Sequence, residues 1–128
     1  MNSGEITAEI ERFIRDHIHS VEQLEVLLLL SSEPDKDWSS LEVSQKLYRQ
    51  PESVATRLDD LRQRGLLSEN QASPPLYRYS PSSRDKDTIK GLEKAYQVCK
   101  DAVIQMIFSR PKDALRTFSD AFRIRRDD

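Results

Sequence analysis

The stretch SSLEVSQKLYRQPESVATRLDDLRQRGLL, residues 39–67, decides the fold. Ser39-Ser40-Leu41-Glu42 reads as a capping box, in which a serine hydroxyl accepts from a backbone N–H while the glutamate reaches back to the cap. Val43 and Leu47 follow one turn apart, so a short helix with one apolar side is expected. Pro51 suits the first position of a second helix, where its missing N–H would go unpaired anyway. Val54, Leu58 and Leu61 then define a buried stripe that Gly65 closes.

Upstream, Ser20-Val21-Glu22-Gln23 is another capping box, opening a leucine-rich helix with Val21, Leu24, Leu27, Leu28 and Leu30; its wide apolar face assigns it to the centre of the core. Ile6, Ile10, Phe13, Ile14, His17 and Ile18 recur at helical spacing and mark an amphipathic first helix whose stripe needs a cover. Glu33-Pro34-Asp35-Lys36-Asp37 is a loop. Downstream, Leu66-Leu67 and Leu76-Tyr77-Arg78-Tyr79 are short strand candidates around the turn-rich Asn70 to Pro75, which suggests a hairpin. From Ile89 the apolar positions Ile89, Leu92, Tyr96, Cys99, Val103 and Met106 alternate by three and four along one long helix. Pro111 stops or bends it, and Leu115, Phe118 and Phe122 form a last stripe before the basic tail Arg123, Arg125, Arg126, which reads as a solvated end.

The 128 residues, 37% hydrophobic and 33% charged, suffice for one modest core. A single cysteine, Cys99, excludes a disulfide framework and multi-cysteine metal sites, and fits a reducing cytoplasm. The three glycines, Gly4, Gly65 and Gly91, are too scattered for a phosphate-cradling loop. The longest apolar run, Val26 to Leu30, falls far short of the ~20 residues that span a bilayer, and no membrane association is expected. His17 and His19, two apart on a helix, diverge and cannot share a metal; no serine lies in a nucleophile elbow. No enzyme, metal or cofactor is expected. Cys99 reads as a small apolar filler of the seam.

Residues 39–67, with the leucine-rich helix before them and the hairpin after, resemble the helix-turn-helix core and wing of winged-helix proteins over residues 20–81. The helices at either end are similar in arrangement to those of MarR and PadR regulators, where they build a dimer. The resemblance implies a mainly α fold with a small β-hairpin: an N-terminal helix in residues 1–19, a winged helix-turn-helix in 20–81 and dimerising C-terminal helices in 82–128. It further implies a DNA-binding transcriptional regulator whose recognition helix opens at Pro51. Gln50, Ser53, Thr56 and Arg57 would face the groove, with Arg49, Arg62 and Arg64 available for phosphates and Arg78 beside the wing. Arg57 is the foremost candidate for reading a base edge, since a guanidinium can make paired contacts to guanine.

Charge points partly elsewhere. Residues 20–81 hold seven Lys or Arg against ten Asp or Glu, net −3, whereas residues 82–128 hold eleven against eight, net +3. Rotating the recognition helix about its stripe turns Glu52, Asp59, Asp60 and Gln63 outward, and acids there repel phosphate. A protein-interaction module on the same frame is therefore the competing reading. The seam from Ile89 to Met106 either joins two copies, the preferred reading, or covers the chain's own first helix. A remoter option is a small-molecule pocket lined by Trp38, Tyr96 or Phe118.

Overall fold

Among the described residues, six helices and one hairpin follow in the order α1 (Ala8–His17), α2 (Val21–Ser32), α3 (Ser40–Leu47), α4 (Pro51–Gln63), β1 (Leu67–Glu69), β2 (Tyr77–Tyr79), α5 (Ser83–Val98) and α6 (Lys100–Phe108). This computed structural model describes residues 4–109; Pro111, Leu115, Phe118, Phe122 and the basic tail lie outside them. The architecture is a winged helix with helices packed on one side.

The caps form as the side chains dictate. Ser39 Oγ accepts from Glu42 N, and Glu42 Oε1 accepts from Ser39 N, each at 3.1 Å. Ser20 Oγ accepts from Gln23 N at 3.0 Å, but Gln23 Oε1 reaches one residue beyond the cap, to His19 N. The buried Gln23 then has its amide free to donate to Asp60 Oδ2 at 2.6 Å, tying α2 to α4. Leu24, Leu27 and Leu30 of α2, with Val43, Val54, Leu58 and Leu61, are fully enclosed and make the centre of the core.

Gly65 stands at φ +81°, just past α4, in the left-handed region that ends a helix. A Cβ there meets nothing within 4 Å, so the strain of alanine is purely conformational. Gly65→Ala should destabilise by about 1 kcal/mol, read as a lower urea midpoint at unchanged slope. An unchanged midpoint would show that Gly65 does not hold this conformation in solution.

The hairpin pairs antiparallel, Leu67 with Tyr79, Ser68 with Arg78 and Glu69 with Tyr77. Asn70 Oδ1 closes its loop by accepting from Ala72 N and Leu76 N. A third segment joins the sheet: Trp38 and Tyr77 exchange both backbone hydrogen bonds at 2.8 Å. That bridge makes Trp38 a core residue, 1% exposed, so it does not line a pocket as the sequence suggested.

The single helix expected from Ile89 to Met106 is two. At Cys99 the backbone leaves helical geometry (φ −134°, ψ 60°), separating α5 from α6, and the Cys99 thiol donates to the carbonyl of Gly4 at 3.4 Å. Gly4, at φ +91°, lies so close to Val98 that an added Cβ would meet a Val98 methyl at 2.9 Å. The N-terminal segment therefore crosses the junction, and both α5 and α6 pack on α1. Ile89, Leu92 and Val103 are enclosed with Ile10, Phe13 and Ile14 in one core, with Tyr96, Cys99 and Met106 half-buried at its margin.

Candidate nucleic-acid interface

The apolar stripe of α4 turns Val54, Leu58 and Leu61 inward, which leaves Glu52, Thr56 and Gln63 exposed, with Gln50 at the cap before them. Thr56 Oγ1 donates back to the Glu52 carbonyl at 3.1 Å, and the residue is exposed. Between α3 and α4 the chain turns at Tyr48, which sits in the left-handed region (φ 57°) and is 93% exposed. That conformation is costly for an aromatic residue and projects the ring beside the start of α4. Tyr48 was not singled out from the sequence, because nothing in its neighbours signals a positive φ.

Every arginine expected to meet DNA is already paired. Arg57 Nε donates to Glu22 Oε1 at 2.9 Å, and Ser53 Oγ donates to the same oxygen. Arg49 Nη2 reaches Glu25 Oε1 at 2.9 Å. Arg62 bonds Asp59 through Nη2 at 2.7 Å and lies 3.2 Å from Glu69. Arg64 holds Asp60 at 3.0 Å and the Asp16 carbonyl at 2.8 Å. Arg78 Nε donates to Asp37 Oδ1 at 2.9 Å. Of the residues expected at the groove, Gln50 and Thr56 face solvent, whereas Ser53 and Arg57 turn toward α2.

The pairs differ in depth. Arg62 and Arg78 and their acids Asp59 and Asp37 are well exposed, and exposed pairs are worth ~0–1 kcal/mol, so a phosphate can replace the carboxylate at little cost; Glu25, the partner of Arg49, is more covered, its side chain 27% exposed. Glu22 is different, with its side chain only 13% exposed. Burial alone would raise its carboxyl, but hydrogen bonds from Ser53 and Arg57 and the charges of Arg57 and Arg49 outweigh this and hold it below the usual carboxylate range. Hydrogen bonds from Arg62 and Gln63 also hold Asp59 low.

A carboxyl whose value is lower folded than unfolded stabilises the fold at neutral pH, and that contribution is lost as pH falls through the folded value. The urea midpoint should therefore drop from about pH 5 downward, and the drop should be shallower in Glu22→Gln. An identical acid limb in the two proteins would mean that Glu22 is not held by Ser53 and Arg57.

Elsewhere the side chains have quieter settings. The His17 ring lies 4.9 Å from that of Phe13, tilted by 53°, and the His19 ring lies 3.0 Å from Arg64. No group of three or more metal-binding side chains occurs among the described residues, and no helix there is long and apolar enough to cross a membrane. A polar cleft of about 520 Å³ lies between the start of α1 and α5, bordered by Glu5, Thr7, Glu9, Arg84, Asp87 and Lys90. Trp38 and Tyr96 do not border it.

No protein-family model matches the chain, and no curated protein does. Among solved structures it is similar to a MarR family protein from Bacillus stearothermophilus, with TM-score 0.50 and 16% identity over 73% of this chain and 66% of that one. A MarR family protein from Mycobacterium tuberculosis gives TM-score 0.51 and 20% identity, over 74% and 67% of the two chains. The YusO protein from Bacillus subtilis gives 0.51 and 14%, over 84% and 75%. The chain thus spans about two thirds of the length of the first two. At such identities the likeness is one of fold, and the fold is the winged helix seen in MarR family proteins.

Proposed function

We propose that this protein is a DNA-binding transcriptional regulator of the cytoplasm, acting as a homodimer through α4. The observation that carries this reading is the outward, core-free side of α4 in a winged-helix frame, with Gln50 and Thr56 open to a base edge. Arg62, Arg64 and Arg78 take phosphates by exchanging a carboxylate partner for one. Because each exchange sets one anion against another, binding is weak, and it falls as salt rises.

A protein-interaction module is the second reading, favoured by the same ion pairs and by the exposed Glu52 at the head of α4, which suit a basic partner. Fluorescence anisotropy with a random-sequence duplex separates the two. The regulator binds at low salt and weakens steeply as salt rises. No binding even at low salt would transfer the function to a protein partner.

For the dimer, Ile89, Leu92 and Val103 are engaged by α1, so a second copy meets Val98 and Phe108, which are 62% and 73% exposed, with Tyr96, Cys99 and Met106 at the edge. Sedimentation equilibrium of Phe108→Asp should show a shift to monomer with the helical spectrum kept. A dimer that survives this change would place the interface elsewhere.

A further inference from the structure

The two acids of α2 that take the foremost DNA candidates stand three residues apart, on one face of the helix. Facing them, Arg49, Ser53 and Arg57 are spaced by four, so the turn before α4 and its first two turns present one polar edge to α2. Glu22 receives Ser53 and Arg57, and Glu25 receives Arg49. Three of the eight candidate DNA contacts are thereby held by carboxylates, whose oxygens accept from the groups that would otherwise donate to a phosphate. Beside them lies an open cleft of about 500 Å³, bordered by Glu22, Tyr48, Arg49, Gln50 and Ser53.

Resting on the regulator reading above, we infer that Glu22 and Glu25 form an autoinhibitory acidic clasp, an internal stand-in for the phosphate backbone that keeps Arg49, Ser53 and Arg57 off DNA until it opens. The chain has seven basic residues in its winged-helix part, so withholding two arginines removes a large share of what phosphates can engage. Among the described residues the buried hydroxyl of Tyr96 on α5 finds no hydrogen-bond partner, and Glu25 and Arg49 lie near enough to act on it electrostatically.

The test compares the native chain, the double variant Glu22→Gln/Glu25→Gln, and Glu33→Gln, which removes an exposed acid from the loop after α2. Glutamine keeps the shape and the hydroxyl's acceptor but releases the guanidinium groups. Binding to a random-sequence duplex at about 0.1 M salt should strengthen roughly tenfold for each freed contact, with the log-log salt slope steeper by about two in the double variant. Glu33→Gln should change affinity by less than about twofold. Equal binding by native and double-variant chains, or an equal gain from Glu33→Gln, overturns the clasp while leaving the regulator standing. Absence of binding by all three at low salt overturns the regulator itself, and the clasp with it. Should the double variant lose its helical spectrum, Glu25→Gln alone, which frees the exposed Arg49, must still show its single-contact gain.

Discussion

Trp38→Ala should cost about 3–5 kcal/mol of folding stability, the largest loss expected from one substitution outside the helices. Trp38 is 1% exposed, its backbone closes the third segment of the sheet on Tyr77, and Lys36 Nζ lies 3.9 Å above its ring. Truncation removes the ring's buried area and leaves a cavity beneath the wing. Domains of this size have only ~5–15 kcal/mol in hand, so the variant should approach unfolding at room temperature. Trp38→Phe should cost much less: it keeps most of the apolar volume and removes an indole N–H that finds no acceptor among the described residues. Urea unfolding measures both. A loss under about 1 kcal/mol for alanine would mean that the ring is not part of the core.

The second large effect concerns charge. Glu52→Lys/Asp59→Lys reverses two acids on the outward side of α4 and, by removing Asp59, frees Arg62 from its 2.7 Å pair. If α4 lies against DNA, each new phosphate contact is worth about tenfold at 0.1 M salt, so the double variant should bind random duplex at least a hundredfold more tightly, with a steeper salt slope. Were DNA to bind another face, the same change would act only through screened long-range charge and the gain would be slight. A cationic helix N-terminus costs up to ~1 kcal/mol, so stability should fall a little while affinity rises, a combination that general stabilisation does not produce.

Why some of this was legible in the sequence and some not follows from the range of the forces. Ser39 with Glu42, Pro51 and Gly65 act within one helical turn, so the boundaries of α3 and α4 could be read directly. The 3.6-residue stripes of Val54, Leu58 and Leu61 and of Ile10, Phe13 and Ile14 named their buried faces correctly. Trp38 escaped because one paired residue after a charged loop has no periodicity. The break at Cys99 escaped because Val103 and Met106 continue the three-four spacing across it, and spacing is blind to a change in backbone dihedrals. The arginine partners were invisible for a different reason: Glu22 lies 35 residues from Arg57 and Glu25 lies 24 from Arg49, and only tertiary packing brings them together. Sequence charge had warned that the reading helix was acidic without revealing that its cations are held from behind.

The most direct test of the central claim, that α4 is the face offered to DNA, is a backbone amide NMR titration of the full chain with random-sequence duplex at low salt. The account predicts that shifts cluster from Gln50 to Arg64 and at Arg78, with Glu22 and Glu25 moving as their arginines are released. Shifts confined to α5 and α6, or a spectrum unchanged by DNA, would contradict it.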